Sequence, residues 1–99
     1  MTQSASWRDL LEIHAPELMQ IATGVQDDTL TDGALDHKTK TLMTMLCDAL
    51  LGHDGGVNVI ANRARAAGAT EEEIIETVGI AFLMGGIPAL VTASNAFKK

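Results

Sequence analysis

Residues 68–76 read GATEEEIIE, and they hold the firmest local signal in the chain. Thr70 with Glu73 three positions on spells a capping box, and Glu71, Glu72 and Glu73 all fall where the positive end of a helix dipole favours acids. A helix therefore starts here, and Gly68 suits the left-handed residue that ends the helix before it. Downstream, Ile74, Ile75, Val78, Ala81 and Phe82 run along the new helix as far as Gly85 and Gly86. Pro88 then opens a last helix through Ala89, Val91, Ala93, Ala96 and Phe97.

Upstream, Val57, Ile60, Ala61, Ala64 and Ala67 form a stripe of mostly small residues that lets two helix backbones approach closely. Before it lies HKTKTLMTMLCDALLG, with Asp36 as N-cap and Leu42, Met45, Leu46, Ala49 and Leu50 at spacings of three and four. Met43 lies off that stripe, so this helix is apolar around much of its girth and is expected at the centre. Residues 26–36, rich in Asp, Thr and Gly, read as an exposed loop. Pro16 begins a helix through Val25 with Leu18, Ile21 and Ala22 on one side, and Ser6 caps a first helix carrying Leu10, Leu11 and Ile13. Residues 1–5 read as a disordered N-terminus, and 6–99 as one domain. Nothing alternates with period two, so the fold class is all-α with about six helices.

At 99 residues a single domain buries only about 60–65% of the surface its unfolded chain exposes, yet 46% of the residues are apolar and only 3% aromatic. Part of that apolar surface is expected against other copies of the chain. The net charge of −6 and the lack of a basic patch argue against nucleic acid. The start has no signal-peptide pattern, and no run of about 18 apolar residues stands out as a membrane span. One cysteine, Cys47, excludes an internal disulfide and suits a cytoplasmic location.

Three motifs in order, LDHKTKTL at 35–42, RAAGATEEEIIE at 65–76 and MGGIPA at 84–89, resemble the carboxymuconolactone decarboxylase-like superfamily, which includes the alkyl hydroperoxidase D-like proteins. The resemblance spans roughly residues 35–96. It implies an all-helical fold assembled as trimers or hexamers, with a small site between helices near residues 52–60, GHDGGVNVI. Counting back from GAT, the peroxidase branch's Glu, Cys-x-x-Cys and His fall on Thr41, His53, Gly56 and Ile60, and none matches. Thiol peroxidase chemistry needs an activated thiolate and a resolving thiol, and neither His53 nor Gly56 supplies one. The decarboxylase branch's His also falls on Ile60, which carries no proton.

The polar residues left near this loop are the catalytic candidates His53, Asp54 and Asp48. His53 and Asp54 pair as an oriented general base, or else Asp54 caps the following helix while His53 meets the end of the preceding one. Asp48, an acid in an apolar helix, faces either inward to a partner or outward to water. Thr41, Gly56, Ile60 and Asn58 are the expected pocket lining, with Asn58 and Asn62 available to Asp48. Cys47 is expected as a buried, inert thiol. No two histidines have the i, i+4 spacing of a helical metal site, so no metal or cofactor is expected. Two readings follow: conversion or binding of a small organic molecule in an interhelical pocket, or a non-enzymatic oligomeric scaffold with a vestigial site. The enzyme reading fails if the cavity between the third and fourth helices is lined only by apolar atoms, with His53, Asp48 and Asp54 all facing bulk solvent.

Overall fold

The structure is a computed structural model that describes residues 6–99, so the N-terminal pentapeptide lies outside the described residues. The chain divides into two compact units, Met1–Thr31 and Asp32–Lys99. In the first, α1 (Trp7–His14) starts from a complete capping box between Ser6 and Asp9, and α2 (Pro16–Leu30) starts at the proline that ended α1. Among the described residues of this unit Met19 is the one large apolar side chain that is buried, while Trp7, Leu10, Ile13, Leu18, Ile21 and Val25 are exposed. The loop expected from residue 26 is helical to Leu30. Asp27, Asp28 and Thr29 disfavour a helix only weakly, and no Gly or Pro interrupts before Gly33.

The second unit is a three-helix body of α3 (His37–Leu50), α4 (Asp54–Ala66) and α5 (Glu71–Ala93), closed by a 3₁₀ turn, Ser94–Phe97. All described regular elements are helical. Asp36 caps α3 through Thr39 N–H, and Thr70 and Glu73 form the expected capping box on α5. Lys38 at the start of α3 pairs with Glu73 at the start of α5 at 2.9 Å. Leu50 at the end of α3 lies beside Gly85, where a Cβ would come within 2.8 Å of Leu50 Cδ2. These two contacts make α3 and α5 run parallel and pack directly on each other, the chain returning through α4.

The core is built on small residues: Ala49, Ala61, Ala64, Ala81, Ala89, Ala93 and Ala96 surround Met45, Val57 and Ile74, the largest fully buried side chains. Each of these three contributes about 1.5–3 kcal/mol of burial. The alanines contribute mainly the closeness of the helices. Gly86 takes φ 72° and kinks α5. The sixth helix expected from Pro88 is thus the second limb of α5. The segment Glu71–Phe97 is by length and composition apolar enough to cross a membrane, with a window of mean hydropathy 2.0. The sequence reading passed over it because glycines break the run of large apolar residues. One side of that segment is the core of the unit, through Ile74, Val78, Ala81, Ala89 and Ala93.

Two expectations about α3 are corrected. Leu50 is 42% exposed and Cys47 is exposed, not buried. The buried side of α3 carries Thr41, Met45 and Ala49, and Cys47 and Leu50 lie around the helix from it. At the far end, Asn58 on α4 donates to the carbonyls of Asn95 and Lys98, and Arg65 donates to Ala96 O and pairs with Glu71. The C-terminal turn is thereby tied to α4.

Candidate functional site

The turn from α3 to α4 is a Schellman motif. Gly52 takes φ 79° just past the C-cap Leu51, its N–H reaches back to Ala49 O, and His53 N–H donates to Asp48 O at 2.9 Å. The same motif ends α4, where Gly68 has φ 100° and Ala69 N–H donates to Ala64 O at 2.9 Å. Such a motif brings the residue two past the C-cap against the residue three before it, and the usual contact there is apolar. At the end of α4 it is apolar, between Ala64 and Ala69, both buried. At the end of α3 the two positions hold Asp48 and His53, whose Oδ1 and Nδ1 lie 2.9 Å apart.

A carboxylate oxygen accepts only, so His53 Nδ1 carries the proton in this bond, and in the neutral imidazole Nε2 then holds the lone pair. The His53 side chain is 55% exposed and the Asp48 side chain 19%. The imidazole can meet a solute, while the carboxylate that orients it is largely covered. The N-terminus of α4 lies against that carboxylate: a Cβ on Gly56 would sit 2.8 Å from Asp48 Oδ2 and 3.2 Å from His53 Cβ. Only a residue without a side chain leaves the pair undisturbed.

The other predicted residues are distributed as follows. Asp54 is an exposed first-turn acid of α4, and His53, not Asp54, holds the N-cap position. The partner that His53 meets is Asp48. Thr41 is buried and donates to His37 O one turn back. Ile60 is half-buried against the core. Asn58 bonds to the C-terminal turn and not to Asp48. Of the four expected lining residues, Gly56 alone touches the pair. A groove of about 650 Å³ between α3 and α5, with Leu42, Met43, Leu46, Gly79 and Ile80 among its walls, contains none of the four. Among the described residues no cluster of His, Cys, Asp or Glu could hold a metal ion. The condition that would end the enzyme reading, all three candidates facing bulk solvent, does not hold, because Asp48 is turned onto α4.

Sequence reasoning missed the Asp48–His53 pairing because a separation of five is not a helical spacing. The readable signal was Asp three before the C-cap Leu51, Gly one past it and His two past it.

The profile of the carboxymuconolactone decarboxylase family matches residues 16–99. A solved structure of a carboxymuconolactone decarboxylase family protein from Legionella pneumophila, in its apo form, superposes with a TM-score of 0.82 at 35% identity, covering 87% of this chain and 77% of that one. An uncharacterised protein from Methanocaldococcus jannaschii is 24% identical over 88 residues, 89% of this chain and 82% of its own.

Proposed function

The chain belongs to the carboxymuconolactone decarboxylase family, and from that premise we propose that it performs proton transfer on a small organic molecule, without thiol peroxidase chemistry. The single observation that carries this reading is the 2.9 Å bond from His53 Nδ1 to Asp48 Oδ1 beside the bare backbone of Gly56. His53 is the group that moves the proton, and Asp48 is a positioning residue. A substrate carbon made acidic by an adjacent carbonyl gives up its proton to Nε2. The imidazolium that forms is stabilised by the Asp48 carboxylate on its other side, and it returns the proton to the product.

The absence of peroxidase chemistry rests on residue types. The two positions on which the resemblance sets the dithiol hold His53 and Gly56, and neither carries a thiol. Cys47, the one thiol, is on another face of α3.

The test is deuterium uptake next to the carbonyl in a panel of small lactones and ketones in D₂O, with wild type compared against His53→Gln. Wild type should accelerate uptake by about 10²-fold or more over His53→Gln for at least one compound class. Equal rates across the panel would remove the catalytic reading in favour of the scaffold. Turnover of an organic hydroperoxide with a thiol reductant would contradict the second half of the proposal.

A further inference from the structure

The charges around the turn from α3 to α4 are of one sign. From Thr41 to Asn62 the sequence has two acids, Asp48 and Asp54, one histidine, His53, and no Lys or Arg. Those residues are most of α3, the turn and most of α4. α5 meets the end of α3 where Leu50 lies beside Gly85, and it has no charged residue after Glu76. The cations of the second unit stand elsewhere. Lys38 pairs with Glu73 and Arg65 with Glu71. At the helical rise, Lys40 starts about 12 Å before Asp48, and Arg63 lies about 15 Å beyond His53. Lys98 comes nearest through its backbone, whose carbonyl accepts from Asn58, but its side chain lines a cavity with Asn62, Arg65, Glu71 and Lys99, further along α4.

Asp54 is the acid of this corner that the dyad does not use. It is exposed, and among the described residues nothing pairs with its carboxylate. Its Cα follows that of His53 at about 3.8 Å, so its charge stays within about one Debye length of the imidazole at 0.1 M salt, whichever way the side chain turns. The helix ends that meet here carry partial charges of opposite sign, carbonyls on α3 and amides on α4, and these offset each other. The rest of the turn adds no charge: Leu51 is exposed and apolar, and Gly52, Gly55 and Gly56 are bare backbone.

We infer that this corner selects its substrate by charge: it takes a neutral or cationic carbonyl compound, turns away one bearing a carboxylate or phosphate, and Asp54 is the residue that sets the selection. The inference rests on the proton-transfer reading for what the solute undergoes, and on the charges alone for which solute reaches Nε2. An anion approaching Nε2 meets two negative charges and no counter-charge. At about 7 Å in water each of them lowers its local concentration roughly three-fold.

The test uses two alkylating probes of similar size, neutral 2-bromoacetamide and anionic bromoacetate. With either, the lone pair of Nε2 forms the new N–C bond as bromide leaves, and peptide mass spectrometry separates the product at His53 from that at Cys47. The quantity read is the amide-to-acid rate ratio at His53 divided by that for free N-acetylhistidine, so that the reactivities of probe and ring cancel. In ~10 mM salt wild type should give about five or more, Asp54→Asn two- to three-fold less, and Asp54→Lys about one or below. Glu72→Gln removes the same charge from the start of α5, and should change the ratio less than ~1.5-fold. A wild-type ratio of one, or equal responses to Asp54→Asn and Glu72→Gln, would overturn the inference. In the deuterium assay wild type should favour methyl levulinate over levulinate, corrected for their uncatalysed rates, and the reverse preference would overturn it too. No exchange above His53→Gln would instead remove the proton-transfer reading, with the alkylation ratio still deciding the selection by charge.

Discussion

Replacing Gly56 by alanine tests the site where it is tightest. In an unobstructed helix the change is worth up to about 1 kcal/mol in stability, and less in the first turn. Here the new methyl carbon would lie 2.8 Å from Asp48 Oδ2, 3.0 Å from Asp48 Cγ and 3.2 Å from His53 Cβ. To restore ordinary contact the carboxylate must retreat by about 0.5 Å or more. A retreat of that size directed away from His53 lengthens their 2.9 Å bond to about 3.4 Å, past the usual 2.7–3.2 Å. Overpacking of this kind costs about 1–3 kcal/mol, so Gly56→Ala should come out roughly 1 kcal/mol less stable than wild type. Gly55→Ala is the control, because a Cβ there meets nothing within 4 Å, and it should stabilise by about 0.5 kcal/mol. Urea unfolding at one fixed protein concentration separates the two variants by ~1 M in midpoint at the slopes usual for small proteins. In an Asp48→Ala background Gly56→Ala should recover most of its loss, a coupling of about 1 kcal/mol. Equal stabilisation by both glycine replacements, with no coupling to Asp48, would refute the close contact and the positioning argument built on it.

Thr70→Ala removes the side-chain acceptor for Glu73 N–H at the start of α5, and should lower stability by ~1 kcal/mol in the same urea assay. A midpoint unchanged within error would show the box to be energetically idle. Acid should weaken the second unit in a defined direction. Glu73 titrates below its ordinary 4.5, held down by Thr70 N–H and then by Lys38; Glu71 does so through Arg65, and Asp36 falls below 3.8 through Thr39. Depressed carboxylates contribute stability that is fully present above their unfolded values and is lost as pH falls through the folded ones. The urea midpoint, on this account, holds from neutral pH down to about 5 and falls below ~4. A midpoint that rises on acidification would contradict it.

The features legible in the sequence are those set within four or five residues. Asp36, Thr70 and Gly68 punctuate helices through bonds to near neighbours, so their residue types alone suffice. The end of α2 was harder, since Asp27 and Asp28 in a helix differ from the same residues in a loop by a few tenths of a kcal/mol each. Cys47 was misplaced because a helix with apolar residues on most sides does not reveal which side meets the core. The family was readable from three motifs, yet the partner of His53 was not. Asp54 is its neighbour in sequence, but Asp48 is its neighbour in space, and the left-handed turn at Gly52 decides between them.

The dyad's geometry is also unusually self-contained. Asp48, Gly52 and His53 are brought together by six consecutive residues and their own backbone bonds, and the rest of the fold adds chiefly the flat surface of Gly56. An oriented imidazole of this kind is portable. The segment 48–53 placed at the end of another stable helix carries its orientation with it, and the same ending on α4 differs from it mainly in holding Ala64 and Ala69 where α3 holds Asp48 and His53. In a lineage of such proteins, a paired carboxylate and imidazole at this corner can therefore be gained or lost by two substitutions, with no change to helix order, core or termini.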